Sequence, residues 1–218
     1  MLKWKRWIVT TALLSLGATP TLASVFGNPA TPVGEGRFGI GVALSSTDRS
    51  YEYDNSETDT ADVDRITFLG AYGLSSSAAV EFYLGRLEID KLTGTEFGAG
   101  YRMNTGRMGK LESGFMARVL AANLSDDPVD ATVLHIEGAF GVGYPIENVG
   151  SVYGAGVVSK ATGTLSADGS DDIPIEEDSF LGGVIGFEFA PKNMGLQAGV
   201  ELHLLNENGF GVYFLKSF

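Results

Sequence analysis

The sequence predicts an all-β protein, a single up-and-down antiparallel transmembrane β-barrel of ten strands, with eight as the alternative count. Three observations carry that expectation. The chain starts as an export leader does, ten later segments alternate with period two, and the last strand ends on Phe218 with apolar residues at every second position.

The leader has a basic start (Lys3, Lys5, Arg6), an apolar stretch from Trp7 to Leu16 and a small-x-Ala site at Thr21-Leu22-Ala23, so cleavage is expected before Ser24. This divides the chain into a signal peptide over 1–23, a periplasmic N-terminal segment over 24–35 and a barrel over 36–218. The leader is too short to span a bilayer, and no later segment approaches ~18 consecutive apolar residues. With no cysteine in the chain, a lipid anchor, a disulfide scaffold and a thiolate metal site are excluded. Net charge is -12, and losing the leader's three cations gives -12 - 3 = -15, which speaks against nucleic acid as a partner.

The strands are read at approximately Gly36 to Ser45, Asp64 to Leu74, Ala78 to Ile89, Thr95 to Asn104, Leu111 to Asn123, Ala131 to Tyr144, Ser151 to Lys160, Ser179 to Ala190, Gly195 to Leu204 and Gly209 to Phe218. Most have the ~9 to 11 residues that a tilted membrane strand needs. Strand one sets Phe38, Ile40, Val42 and Leu44 against Gly39, Gly41 and Ala43. Strand six sets Leu134, Ile136, Phe140 and Val142 against His135, Glu137, Ala139 and Gly141. Strands eight and nine behave alike, and charge lies on the second face, as a barrel in lipid requires. Strand seven is ambiguous in parity. Strand three breaks register, because Arg86 and Glu88 follow Val80, Phe82 and Leu84 onto the apolar face; either a bulge at Gly85 turns Leu87 and Ile89 outward, or Arg86 sits at the interface.

Connections after strands two, four, six and eight are short, whereas those after one and seven are long and acidic, the layout of a barrel with its short turns in the periplasm. Proline falls outside every strand: Pro20, Pro29 and Pro32 precede the first, Pro128 and Pro174 fall in outer loops, and Pro145 and Pro191 open short turns. A soluble lipocalin-type barrel is the structural rival, with its apolar face turned inward.

The ending, with Phe210, Val212, Phe214 and Phe218 in alternation, resembles the C-terminal signal that the barrel-assembly machinery of outer-membrane proteins reads. It departs at Lys216, where an aromatic is common, though lysine can snorkel at an interface. Together with leader and strand pattern, the chain resembles the small Gram-negative outer-membrane barrels, the opacity-type proteins and the transmembrane domains of outer-membrane proteins A and X. The resemblance implies a location in the outer membrane, contact with its lipid and lipopolysaccharide, and assembly by that machinery. It selects no functional family.

Parity places Glu81, Glu96, Glu112, Glu137, Glu188 and Glu201 in the lumen with Arg37, Arg65, Arg102 and Arg118. Arginine suits a narrow interior, because its planar fork holds two carboxylates. Counting from a turn centred near Arg107 sets Arg102 opposite Glu112, an expected cross-strand ion pair. A lumen filled by this network defines a structural or surface-interaction protein, and an acid excess of two leaves a narrow cation-preferring porin as the alternative.

His135 with Glu137, and Glu201 with His203, share faces of strands six and nine. A carboxylate that orients an imidazole needs only a nucleophile or water to become catalytic, so an outer-membrane enzyme acting on lipid or peptide is a further alternative. Same-face neighbours two apart point in parallel, however, and the His-Ser or Asp-rich patterns of outer-membrane hydrolases are missing. The histidines are therefore expected to serve a polar network, with no catalytic residue, cofactor or metal.

The expected outer loops, Thr47 to Asp64 and Ala161 to Asp178, concentrate acidic residues that include Asp48, Glu52, Asp62, Asp64, Asp172 and Glu176. Their spacing does not match an EF-hand. They are expected to be solvated, with an extracellular ligand as the functional possibility; Tyr51 and Tyr53 are compatible with adhesion.

Overall fold

The computed structural model describes residues 25–53, 57–167, 172–177, 180–191, 194–205 and 207–218; the expected leader, with Ser24 and Pro20, lies outside them, as do Asp168, Asp171 and Asp178 of the acidic segments. The described residues form eleven strands and no helix: β1 Phe38–Tyr53, β2 Glu57–Ser75, β3 Ala78–Ile89, β4 Leu92–Met108, β5 Leu111–Asp126, β6 Val129–Ile146, β7 Gly150–Ala167, β8 Ile173–Glu177, β9 Leu181–Phe189, β10 Leu196–Leu205 and β11 Glu207–Ser217.

Ten of them close an antiparallel up-and-down barrel. Each pairs with the next in sequence, except that β7 passes β8 to pair β9, and β11 returns to β1 from Gly39↔Ser217 to Arg49↔Glu207. Closure leaves no free edge, which satisfies the backbone all round. The backbone N–H of Phe218 completes the seam by donating to the Phe38 carbonyl at 2.9 Å.

Most strands are longer than their sequence pattern suggests, and most of the extra length is at the end of the barrel away from the chain termini, here the far end. The expected acidic loops are mostly strand. β1 and β2 pair as far as Tyr53↔Glu57, and β6 and β7 as far as Val129↔Ala167. The reason is an exchange of character between the faces. On β6 the outward residues Leu134, Ile136 and Phe140 give way to Thr132 and Asp130, while the inward series passes from Glu137 and His135 to Val133 and Ala131. On β2, outward Phe68 and Ile66 are followed by Asp64, and inward Arg65 by Val63 and Ala61. Strand propensity persists through the switch because the period of two is unbroken.

The barrel thus has two storeys. Near the termini it is apolar outside and polar within; at the far end it is polar outside around a core of Tyr51, Val63, Leu87, Ile89, Leu124, Val133, Leu165 and Ile175, among others. Burying such side chains stabilises each by roughly 1.5 to 3 kcal/mol.

This arrangement also resolves β3. Its register runs unbroken through Gly85, paired to Thr67 and Glu96, so there is no bulge there; Leu87 and Ile89 point inward to the far core, and Arg86 is exposed beside Glu88 at 3.0 Å. Bulges occur instead near Ser75 and Thr105. β7 presents odd-numbered residues inward, Tyr153, Val157, Ser159 and Ala161.

β8 has no counterpart in the sequence reading. It lies between β7 (Thr162↔Glu176) and β1 (Tyr51↔Glu177), beyond the ends of β9, β10 and β11. A wall of ten strands near the termini therefore narrows to eight at the far end.

The N-terminal segment departs furthest from expectation. Residues 25–33, assigned to the periplasm with the rest of 24–35, are folded inside the barrel, with Phe26, Asn28, Ala30 and Val33 all buried.

Candidate functional site

Ionisable side chains converge in the lumen, and β-strand parity delivers them there: successive inward positions project charge from neighbouring strands to a common level. Of the expected lumen residues, Arg65, Glu81, Glu96, Arg102, Arg118, His135, Glu137, Glu188, Glu201 and His203 are buried inside. Arg37 and Glu112 are not among them. Arg37 is exposed at the mouth, just before β1. Glu112 pairs with Arg107 beside the Gly109-Lys110 turn, because the turn lies beyond Arg107 and the bulge near Thr105 shifts the register; Arg102 faces Met116 instead.

The ion pairs form two levels. Nearer the termini, Arg102 Nε donates to Glu81 Oε1 at 2.7 Å. Deeper, Glu137 is shared, with Arg49 Nη2 at 2.9 Å from Oε1 and Arg118 Nε on Oε2, while Arg65 Nε meets Glu96 at 3.1 Å. Glu177 from β8 enters this layer, accepting from Ser159 Oγ at 3.0 Å and from the Ala161 N–H at 2.9 Å, with Arg49 at 3.9 Å. Buried charges are costly unless paired and hydrogen-bonded, and here the strands supply the partners.

Three tyrosines missing from the sequence reading complete the layer. Tyr83, Tyr153 and Tyr213 donate to Glu81 (2.5 Å), Glu201 (2.5 Å) and Glu188 (2.7 Å). Across the adjacent strand each faces a glycine, Gly98, Gly186 and Gly199 respectively. At Gly186 and Gly199 an added Cβ would lie 2.3 Å and 2.4 Å from the tyrosine ring, so only glycine leaves room for it. The signal was available for Tyr83 and Tyr213, which lie on their strands' inward parity, but not for Tyr153, whose strand is ambiguous in parity. Arg49 was overlooked because it falls in a stretch read as loop.

Both histidines are engaged by charged lumen side chains. Arg49 Nη1 lies 2.9 Å from His135 Nδ1, and as guanidinium only donates, Nδ1 must accept; Nε2 then carries the proton and has no partner among the described residues. His203 Nε2 lies 3.1 Å from Glu201 Oε2, so these two neighbours do meet, contrary to the parallel geometry expected, and the imidazole is stacked on Phe26 at 5.7 Å.

The N-terminal segment fills most of the remaining space. Both oxygens of Glu201 take backbone N–H groups, from Phe26 at 2.9 Å and Gly27 at 2.5 Å. Arg102 donates to the carbonyls of Asn28 (2.7 Å) and Phe26 (2.5 Å), Arg118 to that of Val25 (2.8 Å) and Asn104 to that of Ala30 (2.9 Å). Thr31 donates to Glu188 at 2.8 Å. The wall is hollowed to receive it: an added Cβ at Gly114 would lie 2.3 Å from the Pro29 carbonyl oxygen, and at Gly73 2.0 Å from that of Gly34. A small space remains beside Val25 and Phe26, lined by Arg65, Glu81, Glu96, Arg102, Arg118 and Glu188 among others.

At the C-terminus, Phe210, Phe214 and Phe218 are exposed on the outer face with Val212 part-buried among them, while Tyr213 and Leu215 point inward. Lys216 Nζ reaches the Met194 carbonyl at 2.5 Å and lies 6.0 Å from the Phe218 ring.

Fold and site together define a closed ten-strand barrel with a filled lumen. No family description matches the chain, and neither does any curated protein. Among solved structures, an outer-membrane channel from Pseudomonas putida F1 is similar at 12% identity, over 90% of this chain and 100% of that one, with a TM-score of 0.40. Two variants of a Rh. blastica porin align at 10% identity over 84% of this chain and 99% of theirs, with TM-scores of 0.19. Likeness at that level says nothing of what this chain does.

Proposed function

We propose that this chain is an integral outer-membrane β-barrel protein, exported behind a leader cleaved after Ala23, with a closed lumen and a structural or surface-interaction role. The belt of outward apolar side chains on the storey near the termini carries this reading. On β6 it runs from Leu134 to Tyr144. At a strand rise of ~3.4 Å and a tilt of ~40°, those residues cover about 26 Å along the barrel axis, against the ~25 Å apolar band of such barrels. Exposed phenylalanines encircle the belt, including Phe38, Phe68, Phe82, Phe97, Phe140, Phe187 and Phe214. A soluble carrier would not expose them.

The lumen supports a non-conducting protein. The N-terminal segment, the ion-pair layer and the far apolar core follow one another along the axis, and passage of an ion would require all three to part. His135 and His203 serve that layer, and the protein is not an enzyme. The outer storey, with Asp64, Asp130, Asp172 and Glu176 on its exterior, stands clear of the lipid and presents an acidic surface to lipopolysaccharide-bound cations or an extracellular ligand. Phe218 and its alternating neighbours are the feature the assembly machinery reads.

Outer-membrane fractionation followed by heat-modifiable migration in SDS gels tests the location; recovery in the soluble fraction overturns it. Planar-bilayer recording tests the closed lumen, and discrete cation-selective conductance would establish the porin reading instead.

A further inference from the structure

We propose that the lumen near the termini is a peptide-binding chamber and that residues 25–33 are its tethered ligand: the partner it fits is an extended peptide carrying an aromatic residue followed by glycine, held mainly through its main chain. This goes beyond a closed lumen and requires neither the leader nor the membrane location.

The wall closes without residues 25–33. Its ladder runs from β1 round to β11 and returns to β1, and no strand pairing includes the segment. Among the described residues, every hydrogen bond from the segment's backbone to the wall ends on a side chain. The N–H groups of Phe26 and Gly27 meet Glu201, the carbonyls of Phe26 and Asn28 meet Arg102, and those of Val25, Ala30 and Thr31 meet Arg118, Asn104 and Gln197. The chamber thus offers a carboxylate to main-chain donors, and guanidinium and amide groups to main-chain acceptors, which any extended peptide presents. Bonds of this kind part locally, without opening the barrel ladder.

The anchor is separate from the ligand. The Gly36 N–H donates to the Gly73 carbonyl at 2.9 Å and the Gly73 N–H to the Arg37 carbonyl at 3.0 Å, so backbone pairing with the wall begins only at the mouth. Gly36 has a φ of +67° and nothing within 4 Å of an added Cβ, so it supplies backbone freedom rather than room. The segment ahead of this joint can leave as a unit.

Three residues set the preference. The Phe26 ring lies 5.7 Å from the His203 ring and 4.3 Å from the Arg118 guanidinium, a slot for a flat aromatic group. Gly27 has a φ of +68°, and an added Cβ would lie 3.3 Å from Arg102 Nη1, so any other residue strains the backbone and presses on the arginine that holds the peptide. Asn28 Nδ2 donates to Ser151 Oγ at 2.9 Å, in a hollow left by Gly143, where an added Cβ would lie 2.9 Å from the same nitrogen.

The test uses the whole exported protein in detergent micelles. The chain has no cysteine, so Ala30→Cys, at a buried position, reports whether the segment is in place. Gly27→Val weakens the segment and leaves the wall untouched. A water-soluble maleimide is expected to label the reporter at least about tenfold faster once Gly27→Val is added, and Phe26→Ala should do the same by a different route, both in chains that keep the unboiled gel migration of the natural protein. A fluorescent synthetic peptide of residues 25–33, capped at both ends, should then bind the Gly27→Val chain at least about tenfold more tightly than the natural chain, whose own segment competes at an effective concentration of ~mM. The same peptide with Gly27→Val should bind at least about tenfold more weakly. Slow labelling in both variants, or loss of the barrel in both, overturns the proposal, because the segment is then part of the wall rather than bound to it. Fast labelling with no binding of the natural peptide overturns it too, and equal binding of the two peptides overturns the preference for glycine.

Discussion

Glu201 and Phe26, 175 residues apart, are joined by a 2.9 Å hydrogen bond from the Phe26 backbone N–H to Oε2 of the carboxylate. The same carboxylate receives the Gly27 N–H, the Tyr153 hydroxyl and His203 Nε2. Glu201→Gln replaces one acceptor with an amide that faces donors, and should lower stability by about 2 to 3 kcal/mol. Glu176→Gln, in an exposed pair with Lys160, should change it by less than about 1 kcal/mol. Urea unfolding in micelles, with both variants side by side, measures the difference.

Glu137 serves two arginines. Glu137→Ala leaves Arg49 and Arg118 buried without their shared carboxylate, and should cost about 3 to 5 kcal/mol in the same assay. A loss below about 1 kcal/mol would mean that water reaches this layer and that the lumen is not closed.

Gly114 is a test of the N-terminal segment. Gly114→Ala places a methyl group against the Pro29 carbonyl and the Ala30 amide, and should destabilise the full chain by about 1 to 3 kcal/mol. In a chain lacking residues 25–33 the same substitution should have almost no effect, and a double-mutant cycle reads the coupling directly.

Phe140 and Thr132 lie on the same outward face of β6, on opposite sides of the change in character. Phe140→Arg should weaken folding into phospholipid vesicles by about 2 to 4 kcal/mol, and Thr132→Arg by less than about 1 kcal/mol. Equal penalties would show that the two storeys meet the same medium.

Buried packing at the far end should respond as a soluble core does. Leu87→Ala, at a fully buried position, should cost about 2 to 5 kcal/mol in urea unfolding. Were the far end a mobile loop cluster, as its composition suggested, the cost would be negligible.

The barrel near the termini was legible because outward Leu134, Ile136 and Phe140 and inward His135 and Glu137 obey one rule over a long stretch, apolar out and polar in. Where the rule inverted, at Val63 and Leu87, the same periodicity was read as loop or as a broken register. Arg49 illustrates the loss: it continues the odd-numbered inward series of Ser45 and Thr47, but its acidic neighbours masked it. Residues 25–33 carry no periodicity at all. Their place is fixed by backbone groups meeting side chains some 75 to 175 residues away, Arg102 and Glu201 among them, and a local pattern does not encode such pairings.

β8 changes what an outside molecule would encounter. Because it stitches β7 to β1 over an apolar core, the far end offers residues from four separate stretches of chain, around 52, 62, 130 and 176, at fixed spacings rather than as pliable peptides. Antibodies raised against it should see a conformational epitope: their binding should vanish when the protein is boiled, and short linear peptides copied from the same region should fail to compete.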